Sequence, residues 1–163
     1  MTRRTIIYSS PYVPSEWIEA HGLVPCRFEP SASPANGFIG IQAGVCPFMA
    51  AFMNGLAGKR NGAGVILTTA CDQFRRAFDL LPPGGALPVF LMNMPATWQS
   101  AAARDLYADE VRRLGCFLES AGGQAPEDGD LRAALLRRET RDARHRRLER
   151  KPDASGAAPV AVI

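Results

Sequence analysis

Cys46, in Gly44-Val45-Cys46-Pro47-Phe48, and Cys71, in Thr68-Thr69-Ala70-Cys71-Asp72-Gln73-Phe74-Arg75-Arg76, are the residues whose type and setting best suit chemistry. Each precedes a segment of helical spacing, and each lies where a loop leaves an extended run. Two thiols at equivalent turns of one α/β layer can meet in space although 25 positions separate them. A helix N-terminus presents unpaired N–H groups and partial positive charge, which favours an anionic ligand atom such as a thiolate. Amide donors to sulfur also tune an iron–sulfur centre. The pair therefore suits a metal or iron–sulfur ligand set. The plainer reading is that both are small buried residues, since free cysteine is among the most buried types.

The other candidates carry less. Cys26 sits in an extended segment interrupted by Pro25 and reads as structural. Cys116 has apolar neighbours, Leu114, Phe117 and Leu118, and is expected in the core. His21 falls at a helix end, and His145 lies in an arginine-rich segment; neither has a visible acid or nucleophile partner. Glu16, just after Pro14, either caps its helix or points into a site, and is a weak catalytic candidate. Gly55-Leu56-Ala57-Gly58-Lys59-Arg60 lacks the spacing of a phosphate loop. No CxxC, GxSxG or HExxH occurs.

These residues need a scaffold, and 163 residues with 47% hydrophobic content suffice for one domain with a core. Thr5-Ile6-Ile7-Tyr8, Val65-Ile66-Leu67-Thr68 and Pro88-Val89-Phe90-Leu91-Met92 read as short buried strands. Leu23 to Phe28 reads as an edge strand, because Pro25 cannot donate to a ladder. Helices are expected at 15–20, ended by His21-Gly22, and from Cys46-Pro47 with Phe48, Met49, Phe52, Met53 and Leu56 as apolar stripe. Others follow from Cys71 with Phe74, Phe78 and Leu81, from Thr97 to Ser120, and from Asp130 to Arg150 with Leu131, Leu135 and Leu136 as its apolar face. Residues 29–44, rich in Pro, Gly, Ser and Ala, read as a long loop. Alternating strands and helices with continuous apolar strands predict an α/β fold: a parallel, Rossmann-like sheet flanked by helices, with a long C-terminal helix.

Charge and composition narrow the function classes. The net charge is +3, but residues 130–151 hold nine Arg or Lys against four Asp or Glu. A basic segment can bind nucleic acid, yet no aromatic residues interleave with these arginines as stacking would want. A solvated helix face with pairs such as Asp142 and Arg146 is the preferred reading, with no nucleic-acid partner. No run approaches the roughly 20 apolar residues of a membrane span, and no signal-peptide core follows the basic N-terminus. The expected setting is cytoplasmic, where four scattered cysteines remain thiols rather than a disulfide framework. Lys151 to Gly156 reads as a linker. Pro159-Val160-Ala161-Val162-Ile163 reads as the first strand of a second domain. The expected organisation is thus a domain over 1–151, followed by 152–163 as linker and the start of a truncated second domain.

Tyr12-Val13-Pro14-Ser15-Glu16-Trp17-Ile18-Glu19-Ala20-His21-Gly22-Leu23-Val24-Pro25 resembles the opening P-x-E-x-x-x-A-x-G-x-x-P of the 2-hydroxyacyl-CoA dehydratase family, which includes 2-hydroxyglutaryl-CoA dehydratase component D and benzoyl-CoA reductase subunits. Cys46-Pro47 looks like that family's first cluster cysteine, and Cys71-Asp72 with Arg75-Arg76 like its second, in a CD-x-x-R-R setting. Asn93-Met94-Pro95 falls where the family has a strand ending in proline, and residues 159–163 are similar to the strand opening its second domain. The resemblance covers nearly the whole chain, as the N-terminal part of a family member. It implies a [4Fe–4S] cluster with Cys46 and Cys71 as two of three cysteine ligands, the third lying beyond Ile163. It also implies a second homologous subunit, a separate ATP-hydrolysing activator and an acyl-CoA substrate dehydrated through a ketyl radical. By this reading the fragment alone is inactive. Two other readings stay open: a benzoyl-CoA reductase-like or electron-relay subunit, and a non-catalytic assembly domain.

Overall fold

A computed structural model describes residues 4–30, 44–57, 59, 62–81, 85 and 87–149. The apolar runs form four strands: β1 (Thr5–Tyr8), β2 (Val24–Arg27), β3 (Gly62–Thr68) and β4 (Val89–Met92). They make one sheet in the order β2-β1-β3-β4, parallel at every pairing. Among the described residues five helices connect and follow them: α1 (Ser15–Ala20), α2 (Pro47–Ala57), α3 (Asp72–Leu80), α4 (Ala101–Ser120) and α5 (Asp128–Glu149). This is the expected α/β architecture of a parallel sheet flanked by helices. From β1 the chain steps outward to β2, then crosses back over β1 to β3. The carboxyl ends of β1 and β3 therefore flank a topological switch point, where α1 leaves toward one face and α3 toward the other.

Side-chain alternation along each strand sorts the core into two halves. Ile6, Tyr8, Ile66 and Met92 face Ile18 of α1 and Leu114 and Leu118 of α4. Ile7, Val65 and Leu67 face Met49, Phe52, Met53 and Leu56 of α2 and Ala77 of α3. Both faces are thus covered, which is why the strands are apolar without polar interruption. β2 lies at the sheet edge, as Pro25 requires. Gly22, with φ of 75°, ends α1 in the left-handed region and turns the chain into β2.

Several boundaries and burials differ from expectation. α4 starts at Ala101 rather than Thr97, because the Ser100 hydroxyl accepts the Ala103 N–H at 3.1 Å and caps the helix there. Cys116, expected in the core, is exposed. The buried stripe of α4 runs through Ala103, Glu110, Leu114 and Leu118, and position 116 points away from it. In α5, Leu135 and Leu136 were expected to face the core, but they are exposed while Ala134 is buried. The reason is that α5 lies on α1 largely through charge. Arg137 and Arg141 both reach Glu19, at 3.2 and 2.7 Å, and Arg138 reaches Glu16 at 2.8 Å. Asp142 pairs with Arg138 at 3.8 Å; the expected partner Arg146 and His145 have side chains outside the described residues. The loop expected at 29–44 and the linker and strand expected at 152–163 lie largely or wholly outside the described residues. No helix among the described residues is long and apolar enough to cross a membrane.

Candidate cysteine site at the carboxyl rim

Both cysteines stand at the rim formed by the carboxyl ends of the strands. Cys46 immediately precedes α2, and its carbonyl accepts the first helical bond from the Ala50 N–H at 2.9 Å. Pro47 follows because the first helical position needs no N–H and suits a fixed φ. Cys46 is half-buried against the α2–α3 core, next to buried Val45. Cys71 is the N-cap of α3, with extended backbone (φ −141°, ψ 135°). Its carbonyl accepts the Phe74 N–H at 3.0 Å, its thiol makes no capping bond, and it is exposed. The two turns are joined directly: the Cys46 N–H donates to Oε1 of Gln73, two residues past Cys71, at 2.5 Å.

Beside these turns lies an open pocket of about 420 Å³, walled by Ser9, Ser10 and Pro11 after β1 and by Arg27, Glu29 and Pro30 at the end of β2. Phe48 and Phe74, from the first turns of α2 and α3, complete it. Arg27 and Glu29 pair with each other in its wall at 3.4 Å. The walls thus combine aromatic surface, hydroxyls and one ion pair beyond the carboxyl ends of β1 and β2, on the rim at which open α/β sheets take their ligands.

The remaining sequence candidates sit elsewhere. Glu16 does not line this pocket. Its carboxylate is held by Arg138 and accepts the Ser15 hydroxyl at 3.3 Å. Pro14, not Glu16, is the N-cap of α1. Burial raises the pKa of Tyr107, with the Glu16 charge adding to the rise. Burial likewise raises that of Tyr8; both phenols are protonated at neutral pH. His21 closes the far end of α1. It is buried, with Nδ1 at 2.7 Å from the Trp17 carbonyl and Nε2 without a partner among the described residues. Cys26 is half-buried in β2, and Arg75 and Arg76 are exposed on α3.

Three polar residues escaped sequence reasoning. Gln73 bridges the cysteine turns. The Thr69 hydroxyl accepts the Met94 N–H at 2.8 Å. Glu110, buried on α4, accepts the Asn93 N–H at 2.8 Å and the Asn93 amide at 3.1 Å, and pairs with Arg113. Burial opposes its ionisation, yet the Asn93 donors and Arg113 together hold the carboxyl below its usual range. The available signal was a lone carboxylate on the apolar stripe of α4.

Two thiols at adjoining helix starts have the soft donor chemistry of iron–sulfur sites rather than that preferred by a hard cation. Among the described residues no group of three or more His, Cys, Asp or Glu is placed to hold a metal ion. A search of curated proteins finds no match to the chain. The sequence profile of the family described as 2-hydroxyglutaryl-CoA dehydratase, D-component, matches residues 11–160, taking in both cysteine turns and every described helix. The chain therefore belongs to the 2-hydroxyglutaryl-CoA dehydratase D-component family, whose members are components of 2-hydroxyacyl-CoA dehydratases.

Proposed function

We propose that this chain supplies Cys46 and Cys71 as two ligands of a [4Fe–4S] cluster in a 2-hydroxyacyl-CoA dehydratase that works in the cytoplasm. The observation that carries the reading is the bond from the Cys46 N–H to Gln73, which holds the two cysteine turns beside each other at one rim. Family membership supports the reaction class. When bound, such a cluster supplies one-electron chemistry to an acyl-CoA thioester, from which water is then eliminated. The chain's own residues have three tasks. Cys46 and Cys71 hold the group, Gln73 fixes the spacing of their turns, and the pocket between Ser9, Arg27 and Phe74 receives the acyl portion of the substrate. The remaining protein ligand comes from outside the described residues. A second homologous subunit and an ATP-hydrolysing activator complete the system.

Anaerobic reconstitution of the full chain with its partner subunit tests this. Iron content and the EPR signal after reduction are compared for the unsubstituted protein, Cys46→Ser and Cys71→Ser. Loss of iron in either variant is the expected result. Retention of both iron and signal in both variants would remove the cysteine pair from the site. Product analysis with a 2-hydroxyacyl-CoA and an aromatic acyl-CoA then identifies the reaction.

A further inference from the structure

The Cys71 turn is tied down from two directions. On one side Gln73 accepts the Cys46 N–H. On the other, the loop after β3 is laced to the loop after β4. The Thr69 N–H donates to the Met92 carbonyl at 2.9 Å, and the Met94 N–H donates back to the Thr69 hydroxyl at 2.8 Å. This closed pair of bonds sits two residues before Cys71. The strand-4 loop is in turn gripped by Glu110, whose two carboxylate oxygens take the backbone and side-chain N–H groups of Asn93. Arg113 neutralises the same carboxylate and lies over the Phe90 ring of β4 at 5.4 Å. Glu110 belongs to α4, on the opposite face of the sheet from α3. The chain of bonds from Glu110 through Asn93, Met94 and Thr69 thus passes over the rim and ends at the cysteine turn.

A buried carboxylate is a costly way to pack a helix against a strand unless every oxygen is used. Here both are used, and both serve one loop. We propose that Glu110 is a positioning residue for Cys71: from the far face of the sheet it fixes Asn93 and Met94, which fix Thr69 and so the turn that presents the thiol. The functional meaning of that placement rests on Cys71 being a cluster ligand; the placement itself does not.

The test uses the full chain assembled with its partner subunit. Amide hydrogen exchange is followed in Glu110→Ala, Thr69→Val and Thr69→Ser, together with the EPR line shape of the reconstituted, reduced protein. Glu110→Ala is expected to speed exchange at Asn93 and Met94 and, by about tenfold, at Thr69 and Phe74, the scale set by losing one or two hydrogen bonds. The amides of Val65 and Ile66 in β3 should not change. Thr69→Val should reproduce the effect at Met94 and Phe74 and broaden the EPR signal, whereas Thr69→Ser, which keeps the hydroxyl, should restore both. If Glu110→Ala fails to fold, Thr69→Val and Thr69→Ser decide. Unchanged exchange at Phe74 with an unchanged line shape in Thr69→Val would overturn the proposal. Altered exchange in a protein whose Cys71→Ser variant keeps its iron would leave the positioning intact and sink the cluster reading instead. Iron loss in Cys71→Ser with unmoved exchange would do the reverse.

Discussion

The two faces of the sheet are held together by different physics. On the face of α2 and α3, Ile7, Val65 and Leu67 meet Met49, Phe52, Met53 and Leu56 in an apolar core. The face of α1 and α4 has an apolar centre too, but it also carries the buried polar groups His21 and Glu110. Its outer layer, α5, is fastened through Glu16 and Glu19 to three arginines. Apolar packing neither titrates nor is screened by salt, whereas the polar attachments do the one or suffer the other. The helices that begin with the cysteines sit on the first face. The elements that brace their rim from behind sit on the second.

That contrast can be broken most severely at Phe52. It is fully buried and packs between Phe28 and Phe74, with ring centroids 5.6 and 6.3 Å away. Phe52→Ala is expected to cost about 3–5 kcal/mol, read by urea unfolding, with no dependence on salt. A cost of Phe52→Ala that changed with sodium chloride concentration, measured as the difference from the natural protein, would show that this face is not purely apolar in its energetics.

Glu110→Ala is expected to cost about 1–3 kcal/mol, because Asn93 and Arg113 lose their acceptor. The carboxyl is held below its ordinary value of 4.5 in the folded protein. Its contribution is therefore complete above that value and declines as pH falls through the lower, folded one. Unfolding measured from neutral pH downward should show a steeper acid loss in the natural protein than in Glu110→Gln. Parallel curves would mean that Glu110 is ionised with no net benefit from its donors.

The smallest effect belongs to the layer of α5. Glu19→Gln removes two pairs whose arginines are about half exposed, so each contributes under about 1 kcal/mol. Thermal melts at low and high salt should converge for the natural protein and the variant as screening rises. A gap that persisted at high salt would place packing, rather than charge, at the α1–α5 contact.

How much of this was legible in the sequence follows the same division. Continuous apolar runs announced the buried parallel strands, Pro25 marked the edge, and the Cys-Pro and Thr-Thr-Ala-Cys turns located both cysteines at helix starts. Those features are local, and local patterns survive translation into structure. What could not be read was which neighbour a helix would meet. Leu135 and Leu136 have the spacing of a core face, yet α5 meets α1 through arginines and leaves them exposed. Cys116 has apolar neighbours in sequence but lies off the stripe that faces the sheet. Glu110 sits on that stripe, and nothing nearby in sequence reveals that Asn93 would satisfy it. Gln73 is two residues from Cys71, but its partner is the backbone of a turn 27 positions away.

β1 precedes every other described element along the chain, and it occupies the interior of the sheet between β2 and β3. While it is being synthesised, only β2 and α1 follow closely enough to shelter it. Its other edge stays open until Gly62–Thr68 has appeared, and its Trp17-bearing neighbour waits longer still for the Val111 carbonyl. Arg4, just before β1, reaches the Ala121 carbonyl at the end of α4 across 117 positions. Contacts of such separation carry a large loop-closure cost and form late. The rim that presents the cysteines is therefore assembled after the strand at its centre, and the nascent chain holds an unpaired strand edge throughout that interval.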